Sequence, residues 1–384
     1  MLWLITNRKD YMDVQDCIQK KDLFERIVYY DNPNSAMNIY SIVPSDFVVI
    51  AIRESATVSI IMELLEHKGL SKDRMLLFYS VFNACIPFMR ADRVFANPNY
   101  AKYKCIVLGL SHAEVGIIPD VLSVPTANLA VSSQDLFYNY YTMRYVVEKY
   151  KEKLAGLKYV IIDMYKYNYF NYDVSLSKMA SVYWSVGGYN HLEHHFSKNH
   201  NYSCSFEDLI YYILKNHCGE LDDNILEKWK QFFAIDYTRI NQKYFNCIDF
   251  PGRNQVVGKE LIENYNYCPS NVKNVYENTI RENIDIFEKL LCLIKSINPD
   301  IKVFLVHMPM YYEAWERAKQ FYIPWREEFN RIIEETSKHH SFEYIDWTEH
   351  ELANEEIYWF DVEHLNYLGA LRFSNTINDE LIGK

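Results

Sequence analysis

Residues 102–116 read Lys-Tyr-Lys-Cys-Ile-Val-Leu-Gly-Leu-Ser-His-Ala-Glu-Val-Gly, and this stretch constrains the fold more than any other. Tyr103 to Leu108 is a short apolar run with β-branched members, the pattern of a buried strand. Gly109 stops the run and Ser111 opens a predicted helix. A buried strand that passes through a glycine into a helix belongs to a sheet with helical crossovers. A serine at that turn stands at the mouth of the sheet with its hydroxyl free. Helix N-terminal amides and the positive end of the helix dipole lie beside it, which suits a nucleophile. The same residue type in the same place is also an ordinary helix cap.

The partner of this turn lies near the other end of the chain. Residues 359–370 read Trp-Phe-Asp-Val-Glu-His-Leu-Asn-Tyr-Leu-Gly-Ala and contain Asp361-X-X-His364. A three-residue spacing predicts both side chains on one side of a helical turn. His364 can then act as general base toward Ser111, with Asp361 orienting the ring and stabilising the imidazolium. A capped surface turn gives the same spacing. The two signals in this order, near the two ends of an α/β region, point more strongly to chemistry than either does by itself.

Together they resemble the SGNH (GDSL-like) hydrolase superfamily, which has a nucleophilic serine after its first catalytic-domain strand and an Asp-X-X-His near its C-terminus. Gly109-Leu110-Ser111 stands where that family has Gly-Asp-Ser. His364-Leu365-Asn366-Tyr367-Leu368-Gly369 looks like the version in bacterial polysaccharide and teichoic-acid O-acyl-transfer proteins. So does Ala127 to Asp135, which is similar to their Asn-Leu-Gly-X-Ser-Gly-Gln segment. The resemblance covers roughly residues 100–384. It implies a Ser111–His364–Asp361 triad and a second oxyanion donor within Asn128–Ser133, from the N–H of Ala130 or Ser132. It also implies a third donor after the next strand, where the family has Gly-X-Asn-Asp. Here Asp163-Met164-Tyr165-Lys166-Tyr167-Asn168 stands instead, and Asn168 and Tyr165 are the substitutes on offer.

Composition narrows the partners. The net charge of −11 carries no offsetting basic cluster, which argues against nucleic acid and anionic membrane surfaces. No apolar stretch approaches the length of a membrane span. The N-terminal run Met1 to Thr6 reads as a first strand rather than a signal peptide. The eight cysteines are scattered without CxxC spacing and read as reduced thiols, so a cytoplasmic location is expected. The 33 tyrosines fit either a biased base composition or an aromatic sugar-binding surface.

The predicted organisation is α/β throughout. Residues 1–98 form a Rossmann-like parallel-sheet domain, with strands at Leu2–Thr6, Arg26–Tyr30, Asp46–Ile52 and Met75–Tyr79 and a helix over Ser55–His67. No Gly-X-Gly-X-X-Gly follows a strand there, so no dinucleotide is expected. Residues 99–384 form a flavodoxin-like SGNH-hydrolase-type domain. Its strands fall at Ala127–Val131, Lys158–Met164, Lys302–His307 and Phe342–Ile345, and its helices at Leu136–Tyr150, Asn274–Ile297 and Trp325–His340. A helical insertion at 170–272 reads as a lid. His191, His194, His195, His200 and Cys204 inside it match no zinc spacing, so no metal is expected. His307, at a strand end, is a candidate extra acid or base.

The resemblance implies a serine-dependent esterase or O-acyltransferase acting on an acylated sugar or glycan precursor. It requires no cofactor, with acetyl-CoA the acyl donor if the enzyme is a transferase. The rivals are a non-catalytic glycan-binding protein that keeps the fold, and a transferase that holds a nucleotide on residues 1–98.

Overall fold

The computed structural model describes residues 1–17, 23–31, 39–78, 87–95, 101–174, 224–225, 227–229, 256–264, 272 and 274–383. The histidines at 191–200, Cys204 and most of the predicted lid lie outside the described residues. Two compact units are present, residues 1–85 with 204–254, and residues 86–203 with 255–384. The division falls at 85/86 rather than 98.

The first unit contains β1 (Leu2–Thr6), α1 (Tyr11–Cys17), β2 (Arg26–Tyr29), β3 (Phe47–Ala51), α2 (Ser55–His67) and β4 (Met75–Leu77). Its sheet is all parallel, in the order β2-β1-β3-β4. Every residue of β1 and β3 is buried, as expected for central parallel strands covered on both faces. Trp3, Ile5, Val48 and Ile50 pack in one core with Val58, Ile61 and Leu65 of α2.

The second unit begins with α3 (Pro87–Phe95). Then come β5 (Cys105–Leu108), α4 (Ser111–Gly116), β6 (Thr126–Asn128), α5 (Leu136–Lys149), β7 (Tyr159–Asp163) and α6 (Lys259–Asn264). The unit closes with α7 (Glu277–Ile297), β8 (Lys302–His307), α8 (Tyr312–Ser337), β9 (Glu343–Asp346) and α9 (Tyr367–Ile377). Its five strands are parallel, in the order β6-β5-β7-β8-β9. In strand succession this is 2-1-3-4-5, the flavodoxin-type order, whose switch point lies between the first and third strands. The carboxyl ends of β5 and β7 flank that point.

Two expectations are corrected. The strand expected at Ala127–Val131 is Thr126–Asn128, because Asn128 turns its side chain onto backbone groups and ends the ladder. The helix expected from Trp325 starts at Tyr312 and runs through Pro324. A mid-helix proline costs about 3 kcal/mol. Here Ala314, Trp315, Ala318, Tyr322, Phe329, Ile332 and Ile333 form one buried stripe across it, and that burial outweighs the lost hydrogen bond.

Candidate active site

The site is built where β5 ends. Leu108 pairs with Ile162 of β7, so the next residue, Gly109, lies beside Asp163. Gly109 has φ of +144°, and a Cβ there would stand 2.5 Å from Asp163 Cβ. Only glycine meets both demands. Its N–H donates to Asn139 Oδ1 (2.9 Å), and Asn139 Nδ2 donates to Tyr169 Oη (2.9 Å), which fixes the turn from α5. The turn delivers Ser111 to the first position of α4. The Ala113 N–H donates to Asp163 Oδ2 (3.3 Å) and the Glu114 N–H to the Leu110 carbonyl (2.9 Å). The N–H groups of Ser111 and His112 open the helix, where no carbonyl of the same helix can reach them.

Asp361 and His364 arrive on a loop rather than a helical turn. The loop is closed by an antiparallel bridge between Trp359 and Leu365 and by the Phe360 N–H donating to the His364 carbonyl (2.9 Å). Asp361 Oδ1 accepts the N–H groups of Glu363 (2.8 Å) and His364 (2.7 Å), so the carboxylate organises its own loop. The motif after it has a structural basis. The Asn366 side chain caps α9 by accepting the Gly369 N–H (2.9 Å). A Cβ on Gly369 would meet the Tyr358 carbonyl at 2.2 Å.

Across 253 residues of sequence, His364 Nε2 lies 2.8 Å from Ser111 Oγ. His364 Nδ1 lies 2.9 Å from each Asp361 carboxylate oxygen. A carboxylate only accepts, so Nδ1 carries the proton and Nε2 accepts from the Ser111 hydroxyl. Burial raises the Asp361 pKa, but the His364 ring and the loop N–H groups outweigh it and hold the carboxyl below its usual value. All three residues are half-buried.

The expected oxyanion residues are placed differently. The Ala130 N–H donates to Asn128 Oδ1 (3.1 Å), and Asn128 Nδ2 donates to the carbonyls of Ala113 (2.9 Å) and Ile117 (3.0 Å). The Ser132 N–H and Oγ–H both donate to Glu114 Oε2, at 2.8 and 2.7 Å. Both candidate N–H donors are therefore occupied by acceptors of the protein itself, and Asn128 binds the α4 end rather than a ligand. Asn168 is 1% exposed, and neither its Nδ2 nor its Oδ1 has a partner. Tyr165 sits in the left-handed region (φ +56°), with its N–H donated to Asp163 Oδ1 (2.8 Å). His307 occupies a core position among Tyr167, Phe329 and Tyr344.

Four further groups, not expected from the sequence, stand near the triad. Lys166, buried, ion-pairs with Glu363 of the Asp361–His364 loop, and its ammonium lies 3.3 Å from Tyr322 Oη. Burial pushes the Glu363 carboxyl up, but Lys166 outweighs it and brings the pKa down to about 2. Burial likewise opposes the Lys166 charge, and Glu363 reverses it. Asp163, fully buried, is pushed up to about 6 by burial, against the N–H groups it accepts. His112, next to the serine, stacks on His364. The signal for Glu363 was available, since it lies inside the Asp-X-X-His motif. For Lys166 the sequence shows only a lysine after a strand.

Among the described residues no group of three or more metal-ligating side chains occurs, and no helix is long and apolar enough to cross a membrane. No family model and no curated protein matches the chain. One solved chain, described as "a putative platelet activating factor from Streptococcus pneumonia", matches with a TM-score of 0.35 and 9% identity. That match covers 84% of this chain and 98% of the other. A likeness at this level supports no argument about function.

Proposed function

We propose that this protein is a serine-dependent esterase or O-acyltransferase of the SGNH type, acting on an acylated sugar or glycan precursor. The observation that carries the reading is the continuous Ser111–His364–Asp361 hydrogen-bond chain. In this reading Ser111 Oγ attacks the acyl carbonyl while His364 Nε2 takes its proton. Asp361 stabilises the resulting imidazolium. The N–H groups of Ser111 and His112 face the developing oxyanion. His364 returns the proton to the departing alcohol, leaving an acyl-serine. Water or a sugar hydroxyl, deprotonated by His364, then releases the acyl group. Water as acceptor gives an esterase; a sugar hydroxyl gives a transferase, with acetyl-CoA as a suitable donor.

The glycan substrate, and a flavodoxin-like catalytic domain carrying a helical insertion, rest on the resemblance of the two end motifs. One observation favours a second reading, a non-catalytic glycan-binding protein of the same fold. The Ala130 and Ser132 N–H groups are already taken, and the loss of one oxyanion donor costs about 10²–10³ in rate.

Intact-protein mass after exposure to a fluorophosphonate separates the two. A single adduct on Ser111, absent in Ser111→Ala and His364→Ala, is the expected result. An unlabelled wild type supports the binding protein.

A further inference from the structure

The imidazole of His112 lies under that of His364, with ring centroids 5.1 Å apart and planes 17° from parallel. Its other neighbour is the Tyr165 ring, at 5.4 Å. His112 is 6% exposed, and neither of its ring nitrogens has a hydrogen-bond partner. An unsatisfied buried polar group costs about 1–3 kcal/mol, which a phenyl ring of similar size would not. A buried polar atom left unsatisfied calls for an explanation in the site it borders. Here the border is the face of the ring that moves the proton.

We infer that His112 is a positioning residue, whose ring covers one face of His364, fixes the plane in which Nε2 meets Ser111 Oγ, and keeps water off that face. The inference rests on the serine-enzyme reading above. A stacked neighbour suits this task only if it does not compete for the proton. Burial first, then the positive charge of His364 and of Lys166, pull the His112 pKa down to about 3, so the ring is neutral and does not compete for the proton. The groups that bear on the pair are Asp361 and Glu363 of the His364 loop and Lys166 and Tyr165 after β7, with Tyr322 of α8 acting on Lys166 and Glu363.

The test is the rate of fluorophosphonate labelling of full-length protein from pH 5 to 9, for wild type, His112→Ala and His112→Phe. In His112→Ala, the freed ring should lower the plateau rate about ten- to a hundredfold. Water on the exposed face favours the imidazolium, so the acid limb should move up by about half a unit or more. His112→Phe restores a flat ring and should recover most of the rate and the wild-type limb. It also keeps the packing volume if His112→Ala folds poorly. Equal rates and limbs in all three proteins would overturn the inference. So would a His112→Phe variant as impaired as His112→Ala, since the ring nitrogens rather than the stack would then matter. A lower rate with an unmoved limb would reduce His112 to a packing residue. Failure of the wild type itself to label is a separate result, which removes the serine-enzyme reading and this inference with it.

Discussion

The two sheets solve the same topological problem and end differently. Both are parallel, and both place a switch point between their first and third strands. In the first unit the polar groups there satisfy one another. Thr6 Oγ1 donates to the Ala51 carbonyl (2.9 Å), Asn7 Nδ2 donates to Asp10 Oδ2 (2.7 Å), and Arg53 lies 3.5 Å from Asp10 Oδ1. In the second unit the matching position carries Ser111 with His364, and against His364 lies His112, whose buried ring nitrogens have no partner. Among the described residues of the first unit, Asp73 Oδ1 is the one such side-chain atom. The comparison teaches that a parallel sheet supplies a place for chemistry, and that the loops decide whether the place is used.

Five variants press on that contrast. Asp361→Asn should lower fluorophosphonate labelling about 10⁴-fold, because the amide no longer selects the right tautomer. Asp10→Asn in the first unit should leave labelling unchanged, and a matching loss there would erase the contrast. Lys166→Met strands Glu363 as an unpaired, partly buried charge and should cost about 3–5 kcal/mol in urea unfolding. Lys166→Met with Glu363→Leu should recover most of it. Arg53→Met, whose side chain is 31% exposed, should cost about 1 kcal/mol or less.

Glycines at the two switch-point sheets give the next test. Gly109→Ala meets Asp163 at 2.5 Å in a φ that alanine avoids, and should cost about 2–4 kcal/mol. Gly69→Ala also has positive φ (+85°), but its nearest neighbour is Pro44 Cγ at 3.5 Å, and about 1 kcal/mol is expected. Stability should also depend on pH. Glu363 is depressed, so its contribution is complete above its unfolded pKa and is lost as pH falls toward about 2. Asp163 is raised, so stability is greatest below its unfolded pKa and falls by about 1–3 kcal/mol as pH rises through about 6. Unfolding midpoints measured from pH 2 to 8 should therefore peak near pH 4–5 from these two groups. Glu363→Gln should flatten the acid side, and Asp163→Asn the other.

Much of the architecture was legible because parallel strands buried on both faces are continuous apolar runs. β1, β3 and β8 stand within a residue of their expected bounds, and α2 has the bounds that its helical spacing predicts. The helix expected at Trp325–His340 instead begins at Tyr312, because a buried stripe on both sides of Pro324 holds it together. The Asp361–His364 spacing suggested a helical turn, whereas a loop closed by Trp359 and Leu365 brings the two side chains together.

By itself the sequence determined the α/β class and the strand-Gly-X-Ser turn, which follow from local pattern, and it offered Asp361 and His364 as candidates without bringing them to Ser111. Only the tertiary structure decided which neighbours the serine turn would meet. Whether an N–H is free depends on acceptors far along the chain, as when Glu114 takes the Ser132 N–H across 18 residues. Lys166 meets Glu363 across 197 residues, and His112 meets His364 across the same fold. Hydrogen bonds and ring stacks are settled over a few ångströms of space, and sequence distance does not encode them.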